Sequence, residues 1–359
     1  MKIAVLGGGN GSHAALADLS EAGHSVRFWR RDPEAIRPIL LEKAIKLKDS
    51  KGTRRIDIAM VTADLGEAVR DAELIIAPVP AFAQEDLAKR LAPHLADGQV
   101  IFLPPGTFGS YAMMKALREN GCKANIAIAE TGTLPWLTRK HGPGEIAITT
   151  RATRLPTGVF PARHSRRALD VIATAFPGAI EPVEDALSGA LMNAGPIIHP
   201  PLILMNAGPI EHFDRWDIHK EGTQPSIRRV HDALDAERIA VREALGYAAP
   251  HFPLADHYNT SDWMYGNLAH DKLVDSGDWH EHLDLLSHRY MMEDVAMGLA
   301  FLVSVGEWAS VPVPVAAGLL AVAGAATGND FRRSGRTLER LGLAELDRSA
   351  MRTLLKEGL

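Results

Sequence analysis

The glycine-rich stretch near the N-terminus constrains the fold more than any other part of this chain. Four apolar residues, 3–6, run directly into six residues that include four glycines. A buried strand that enters such a turn and continues as a helix is typical of dinucleotide-binding units, because N–H groups at the helix start bind a pyrophosphate. The last of the six is a serine where a third motif glycine is usual, and a small residue suffices for packing there. The predicted cofactor-binding residues of this turn are Gly7, Gly8, Gly9, Asn10, Gly11 and Ser12.

The residues after the turn complete the unit. Residues 14–22 predict a helix that ends at Gly23, and residues 25–29 predict a second strand. Strand, turn, helix and strand thus follow one another within about 30 residues, which is the length of a dinucleotide-binding unit.

The end of the second strand bears on the choice of cofactor. Arg30 and Arg31 stand there, followed by Asp32. An acidic residue at this place binds the ribose 2′-hydroxyl of NAD, whereas arginine accepts the 2′-phosphate of NADP, and a guanidinium group suits a phosphate dianion. We therefore expect Arg30 and Arg31 to bind NADP(H). NAD(H) is the alternative, with Asp32 on the ribose and both arginines solvated.

Predicted strands and helices alternate through the rest of the first half. A helix is expected over 33–47 and a strand over 56–60, and two later strands end at Pro78-Val79-Pro80 and before Gly106. This alternation predicts the α/β class, with a Rossmann-type doubly wound parallel sheet. Because ligands of such sheets bind at the carboxyl ends of the strands, Val79, Pro80 and Gly106 are further predicted cofactor contacts.

The pattern changes near residue 185, after which only helical periodicity is found. The expected helices cover residues 226–246, 279–309, 315–325 and 343–356. We therefore predict a dinucleotide-binding domain over 1–185 and an all-helical domain over 186–359 that supplies the substrate-binding and catalytic groups.

Composition excludes several classes of protein. The net charge of −5 and the dispersed basic residues argue against nucleic-acid or membrane-surface binding. The single cysteine and the absence of zinc-type spacing leave no metal site to predict. The apolar run 311–326 is shorter than the ~20 residues that span a bilayer, so we interpret it as a buried helix at a homodimer interface. With the first strand at the N-terminus, a cytoplasmic protein is expected.

Two segments of the second half carry titratable residues in apolar surroundings. His199 stands in Asn193-Ala-Gly-Pro-Ile-Ile-His199-Pro-Pro, and Arg289 and Asp294 stand in Arg289-Tyr-Met-Met-Glu-Asp294. His199 could be a core histidine or a helix C-terminal cap, and Arg289 could pair with Glu293 at i, i+4 spacing. Five-residue spacing on a helix favours different partners for Arg289 and Asp294. Residue types alone leave these alternatives open.

Five stretches, in the same order along nearly the whole chain, resemble the opine dehydrogenases, the octopine/nopaline and carboxyethyl-norvaline dehydrogenase group. They are residues 7–14, 193–201, 235–239, 289–295 with 298–299, and Asp330-Phe-Arg-Arg-Ser-Gly-Arg-Thr-Leu-Glu339. The resemblance implies that His199 is the catalytic histidine, that Asp294 hydrogen-bonds it and that Arg289 handles a substrate carboxylate. Asn193 is a weaker candidate for a contact in the substrate pocket.

The reaction implied by the resemblance joins an amino acid to a 2-oxo acid, either pyruvate or 2-oxoglutarate. The amine attacks the carbonyl, water is lost, and hydride from the nicotinamide reduces the imine. A histidine that titrates near neutral pH can take a proton from the amine and give one to the leaving oxygen. An aspartate on the other ring nitrogen would fix the tautomer, and a guanidinium would hold a carboxylate through two parallel hydrogen bonds.

Two departures from the family pattern and two competing functions remain. Many relatives carry an acidic residue where this chain has Arg30. Region 256–288, with five histidines and with Tyr258, Trp263, Tyr265 and Trp279, has no aligned counterpart, and it either lines the amino-acid site or forms a mobile surface loop.

One competing function is a ketopantoate or glycerol-3-phosphate type reductase. Such a reductase would need a catalytic lysine in the helical domain, and no lysine there has a motif-like setting. The other is a non-catalytic NADP-binding sensor, in which the pair His199 and Asp294 would not be assembled beside the nicotinamide.

Overall fold

The computed structural model describes residues 1–259, 262–266, 268–279 and 282–359. It divides into two compact units. The first consists of Met1–Val79, Ala83–Ala190 and Thr353–Leu359, and the second of Pro80–Phe82 and Leu191–Arg352. Each unit thus includes a short segment that is remote from its main part in sequence. The domain boundary at residue 185 stays a prediction.

The first unit contains two sheets. Their strands are β1 (Lys2–Leu6), β2 (Ser25–Trp29), β3 (Ala44–Asp49), β4 (Gly52–Asp57), β5 (Met60–Thr62), β6 (Leu74–Ile76), β7 (Val100–Leu103), β8 (Ala127–Thr131), β9 (Trp136–Gly142), β10 (Glu145–Arg151), β11 (Leu155–Phe160) and β12 (Ile180–Pro182). The large sheet has the order β12-β11-β8-β7-β6-β1-β2-β5, and its six strands from β8 to β5 are parallel. The chain winds in opposite directions from β1, as expected for a doubly wound sheet, while β11 runs antiparallel to β8.

Helices complete both units. They are α1 (Asn10–Glu21), α2 (Arg37–Glu42), α3 (Leu65–Val69), α4 (Gln84–Leu91), α5 (Gly109–Glu119), α6 (Ser165–Ala175), α7 (Ala186–Ala190), α8 (Gly195–Met205), α9 (Ala207–His212), α10 (Pro225–Ala244), α11 (Leu254–Asn259), α12 (Ala269–Asp275), a π-helix (Tyr290–Leu299), α13 (Ala300–Trp308), α14 (Pro314–Thr327), α15 (Phe331–Ser334), α16 (Leu338–Leu341) and α17 (Arg348–Glu357), with short 3₁₀ turns at Glu34–Ile36, Ala81–Ala83 and Ala162–His164. The second unit is helical and has no strand among its described residues. None of the described helices is long and apolar enough to cross a membrane.

The small sheet was not predicted. Its order is β4-β3-β10-β9, and β3 occupies residues for which a continuation of the helix over 33–47 was expected. That expectation is wrong beyond Glu42, because Lys43 adopts a left-handed conformation and ends α2. Ile45 and Leu47 are then buried alternately as in a strand. The single strand expected over 56–60 is also wrong, since it is divided between β4 and β5, which belong to different sheets.

A charged network joins α1 to the small sheet, and α1 contacts strands of both sheets. The Asp49 side chain is only 1% exposed and accepts hydrogen bonds from Arg54 Nη1 at 2.7 Å and Arg151 Nη2 at 2.9 Å. Arg54 also pairs with Glu21 of α1, and Arg151 Nε donates to Asp18 Oδ1 at 2.8 Å. The Arg54 guanidinium holds the pKa of Asp49 well below its usual value.

We expect Asp49→Asn to lower the free energy of unfolding at pH 7 by about 2–3 kcal/mol, because it removes charge-assisted hydrogen bonds. The pKa of Asp49 is depressed in the folded state, so its contribution is present above the unfolded pKa of 3.8 and is lost as pH falls below it. Urea unfolding should therefore show the difference from the wild type at pH 7 and a smaller one below pH 3.8. Asp57→Asn, which changes an exposed carboxylate, is the control. A pH-independent difference would contradict this account.

Candidate active site

The glycine turn of the first unit has the geometry that binding of a pyrophosphate requires. Gly7 has a φ of +125°, which favours glycine, and a Cβ on Gly9 would meet nothing within 4 Å. The helix α1 starts at Asn10, and no side chain among the described residues caps it. Its first N–H groups are therefore available to an anion. A Cβ on Gly7 would lie 2.7 Å from Ser12 Oγ and 3.3 Å from Val79 Cγ1. Three of the predicted cofactor contacts, Gly7, Ser12 and Val79, are therefore neighbours.

The residues after β2 differ in what they contact. Arg30 Nη1 donates to the carbonyl oxygen of Gly8 at 3.1 Å, and a Cβ on Gly8 would overlap that guanidinium group. Arg31 forms a surface ion pair with Asp86 at 3.8 Å. Asp32 Oδ1 accepts from the backbone N–H of Glu34 at 3.1 Å. The structure thus brings Arg30 to the glycine turn and uses Asp32 in a local turn.

Two other predicted cofactor contacts, Gly11 and Gly106, have packing roles in the structure. A Cβ on Gly11 would lie 2.6 Å from Leu134 Cδ1. The Gly106 carbonyl accepts from Gln84 Nε2 at 3.0 Å, and a Cβ on Gly106 would overlap the buried Glu130 side chain. Pro80 belongs to the second unit. Contact of these residues with a cofactor stays a prediction.

The second unit brings together His199 and Asp294, 95 residues apart in sequence. His199 Nδ1 lies 2.8 Å from Asp294 Oδ2, and the two side chains are 16% and 8% exposed. His199 lies inside α8 and not at its C-terminus, because the helix continues through Pro200 and Pro201 to Met205. The reading of His199 as a C-terminal cap is therefore wrong. With Nδ1 held by a carboxylate, Nε2 is the ring atom through which His199 can exchange a proton with a substrate.

Two glycines allow α8 and the π-helix to approach closely enough for this pair. A Cβ on Gly195 would overlap Asp294 Oδ1, and a Cβ on Gly298 would overlap the ring of Pro196. Asn193 Oδ1 accepts from the N–H of Gly195 at 3.0 Å, at the start of α8. The side-chain carbonyl of Asn193 thus stabilises the start of α8. A role of Asn193 as a substrate contact stays a prediction.

Arg289 and Tyr290 lie beside the pair. Arg289 is 49% exposed, with Nη1 3.7 Å from Glu293 Oε2 and Cζ 4.9 Å from the centroid of the Tyr290 ring. The Tyr290 ring stacks on His199 at 3.7 Å between centroids and 15° between planes. Arg289 and Asp294 thus have different partners, as their spacing predicted. Handling of a substrate carboxylate by Arg289 stays a prediction.

The carboxyl groups of the π-helix titrate near neutral pH. Burial raises the pKa of Asp294 to about 7, against the charge of Arg289, and burial together with Asp294 raises the pKa of Glu293 to about 7. Glu293 Oε1 accepts from the N–H of Ala81 at 3.2 Å, and the Ala81 carbonyl accepts from Arg336 Nη2 at 2.9 Å. The two neighbouring carboxyl groups therefore titrate as a coupled pair.

Sequence reasoning missed several residues around His199. Tyr290 lies inside the quoted motif, but only the fold shows that it stacks on His199. The pairing of Glu293 with Arg289 was one of the sequence alternatives, and the structure contains it. The His219 ring lies 6.2 Å from that of His199 and 5.4 Å from that of Trp279, in edge-on geometry. In region 256–288, Trp263 and Tyr265 are buried, whereas Thr260, Ser261, Asn267, His280 and Glu281 lie outside the described residues. That the region lines the amino-acid site stays a prediction.

We expect Gly195→Ala to lower kcat by about 10²-fold, because the new methyl group displaces Asp294 from His199 and an error of about 1 Å in a catalytic group has an effect of this size. Gly208→Ala in α9 is the matched control, since its Cβ would meet nothing within 4 Å. Steady-state kinetics of both variants, with circular dichroism to confirm folding, would check this. Full activity of Gly195→Ala would show that the close approach is not required.

Comparison with known proteins agrees with this geometry. A family model for the alpha-helical domain of NAD/NADP octopine/nopaline dehydrogenase matches residues 182–327, and one for the N-terminus of NAD-dependent glycerol-3-phosphate dehydrogenase matches residues 2–131. The opine dehydrogenase of Arthrobacter sp. (strain 1C) is 32% identical over 365 aligned residues, which cover 98% of both chains.

Solved structures show the same fold. Octopine dehydrogenase with NADH and L-arginine matches with a TM-score of 0.72 and 18% identity, covering 100% of this chain and 98% of that chain. NADP⁺-bound yersinopine dehydrogenase matches with a TM-score of 0.63 and 15% identity, covering 99% and 97%. The glycine turn, the assembled His199–Asp294 pair and end-to-end similarity to the Arthrobacter enzyme lead to one conclusion. The chain belongs to the opine dehydrogenase family and is an NAD(P)-dependent oxidoreductase that acts on CH–NH groups.

Proposed function

We propose that this protein catalyses the reductive condensation of the α-amine of an amino acid with a 2-oxo acid, pyruvate or 2-oxoglutarate. The buried hydrogen bond between His199 and Asp294 is the observation that carries the proposal. The reaction needs one group that both accepts and donates a proton near neutral pH, and this pair supplies it. Support comes from the Arthrobacter relative, named opine dehydrogenase, and from the octopine dehydrogenase structure that holds L-arginine.

His199 acts twice in this mechanism. Its neutral ring accepts a proton from the substrate ammonium group at Nε2, which frees the amine to attack the carbonyl carbon of the oxo acid. The resulting imidazolium then protonates the carbinolamine hydroxyl group, which leaves as water and yields a protonated imine. Asp294 holds Nδ1 throughout and stabilises the imidazolium. When bound, the reduced nicotinamide supplies the hydride that converts the imine to a secondary amine.

Arg289 binds a substrate carboxylate in this proposal. Its side chain is half exposed, and its present partner Glu293 has a pKa raised to about 7 by burial. Burial therefore favours the protonated form of Glu293, which leaves the guanidinium charge for the substrate. A bidentate interaction would fix the oxo acid for attack. Asn193, at the start of α8, is a further candidate contact.

NADP(H) is the cofactor that we propose, with NAD(H) as the alternative. Arg30 lies at the glycine turn and has no carboxylate within 4.0 Å in the part of the chain that the structure describes. Asp32, which would bind the ribose of NAD, accepts a backbone hydrogen bond within its own turn. Related structures hold NADH in one case and NADP⁺ in another, so the residues of this chain carry the choice.

We also propose a homodimer formed through α14. The expectation of a buried helix over 311–326 is wrong within the chain, because α14 buries only Ala316, Leu320 and Ala323 and leaves Val322 56% exposed. Light scattering at micromolar concentration should give twice the chain mass, and a monomeric mass would refute the dimer. Placement in the cytoplasm stays a prediction.

The test of the reaction follows NADPH and NADH oxidation with pyruvate or 2-oxoglutarate, with and without a pooled set of amino acids. Oxidation that requires both organic substrates, with a secondary amine dicarboxylate detected by mass spectrometry, is expected. Oxidation with the oxo acid alone would identify a simple 2-oxo acid reductase. Tight NADPH binding without turnover of any pair of amino acid and oxo acid would favour a non-catalytic NADP-binding sensor.

A further inference from the structure

Two cationic side chains converge on a single backbone oxygen at the glycine turn. Arg30 Nη1 lies 3.1 Å and Lys140 Nζ 3.2 Å from the carbonyl oxygen of Gly8. Arg30 follows β2 of the large sheet, whereas Lys140 belongs to β9 of the small sheet. The N–H of Lys140 also donates to Asn10 Oδ1 at 3.0 Å, which fixes this part of β9 at the start of α1.

In the part of the chain that the structure describes, these two cations have no neutralising partner. Among the described residues, neither has a carboxylate oxygen within 4.0 Å, although other arginines of this unit, such as Arg54 and Arg55, are paired with acidic side chains. Both Arg30 and Lys140 are half-buried. Burial and the nearby Arg30 lower the pKa of Lys140. Bringing two like charges together at a half-buried place costs stability, and an anionic ligand would recover it.

The surroundings are arranged around these two charges. A Cβ at Gly8 would require the Arg30 side chain to move, because the guanidinium group lies across this residue. His13, in the first turn of α1, is buried, and its Nδ1 lies 2.9 Å from the carbonyl oxygen of Gly9. Burial and the charges of Lys140 and Arg30 lower the pKa of His13 to about 4, so it is neutral at physiological pH. The positive charge at this place therefore comes from Arg30 and Lys140.

We infer that Arg30 and Lys140 together form a subsite for a phosphate dianion, the 2′-phosphate of NADPH, with Lys140 as a specificity-determining residue supplied by the small sheet. The Gly8 carbonyl gives both cations one uncharged acceptor, whereas a phosphate group would offer each its own charged oxygen. The inference rests on the coenzyme part of the proposed function and adds a residue outside the dinucleotide-binding motif.

The experiment uses calorimetry on the full, coenzyme-free chain with 2′,5′-ADP, 5′-AMP and 5′-ADP. Lys140→Met should weaken binding of 2′,5′-ADP roughly 10- to 100-fold, the usual effect of a lost charge-assisted hydrogen bond. Binding of 5′-AMP and 5′-ADP, which lack a 2′-phosphate, should not change. Lys140→Arg should restore most of the affinity, and Lys48→Met, which alters an exposed lysine of the same sheet, should have no effect. Thermal unfolding of Lys140→Met confirms that it folds.

Two results would overturn the inference: unchanged affinity of Lys140→Met for 2′,5′-ADP, or an equal loss for all three nucleotides, which would place Lys140 at a group they share. A second readout is the ratio of kcat/KM for NADPH to that for NADH, which should fall in Lys140→Met. Nucleotide binding needs no amino acid or oxo acid. Failure of the condensation reaction would therefore leave the calorimetric result intact, and the two proposals fail separately.

Discussion

His199→Ala is expected to lower kcat by roughly 10³-fold, within the range of general acid–base catalysis, while NADPH affinity stays unchanged. The residue belongs to the second unit, and the glycine turn with Arg30 belongs to the first. The variant should fold, because Asp294, left without its partner, is readily protonated: burial already raises its pKa to about 7. Steady-state kinetics and NADPH fluorescence titration measure the two quantities.

The pH dependence identifies the role of His199. In the wild type, kcat/KM should fall on the acidic side as the site is protonated and on the alkaline side as the proton for the leaving oxygen is lost. These limbs should flatten in His199→Ala, and added imidazole should restore part of the rate. His212→Ala, which alters an exposed histidine of α9, is the control. A loss below tenfold, or unchanged limbs, would remove His199 from the proton transfers.

The dinucleotide-binding unit could be predicted because its signals are local. The turn, α1 and β2 follow one another directly, and each boundary is marked by glycine or by a change of hydrophobic pattern. The small sheet depends on pairing of β3 with β10, about a hundred residues later in the chain, which no local pattern encodes. Short apolar segments such as 44–49 also fit a helix and a strand equally well.

The candidate site, like the fold, could be predicted only in part. The resemblance named His199, Asp294 and Arg289, but their geometry depends on a π-helix where a regular helix over 279–309 was expected. That expectation is wrong at residues 279 and 282–288, which are not helical, and at Tyr290–Leu299, which form a π-helix. Residues 280 and 281 lie outside the described residues. π-Helical turns are rare and often occur at functional sites. Their hydrophobic pattern cannot be distinguished from that of an α-helix, so the stacking of Tyr290 on His199 had no sequence signal.

Asp294→Asn is expected to lower kcat by about 10²- to 10⁴-fold, although the side chain keeps its shape. An amide can hydrogen-bond Nδ1 of His199, but it carries no charge to stabilise the imidazolium and can impose the wrong tautomer. The acidic limb of the pH profile should move to lower pH, because the imidazolium loses its neighbouring anion. KM for NADPH should not change. Asp232→Asn, at an exposed position of α10, is the control.

The difference in stability between Asp294→Asn and the wild type should depend on pH. Burial raises the pKa of Asp294 from 3.8 in the unfolded chain to about 7 in the fold, so its carboxyl group favours folding below pH 3.8 and loses this contribution as pH rises through 7. The amide does not titrate. Urea unfolding should therefore find the variant less stable than the wild type at pH 5 and closer to it, or above it, at pH 8. A deficit that stays constant between these pH values would show that Asp294 is ionised throughout. The burial of this carboxylate is then a cost in stability that the protein retains for catalysis.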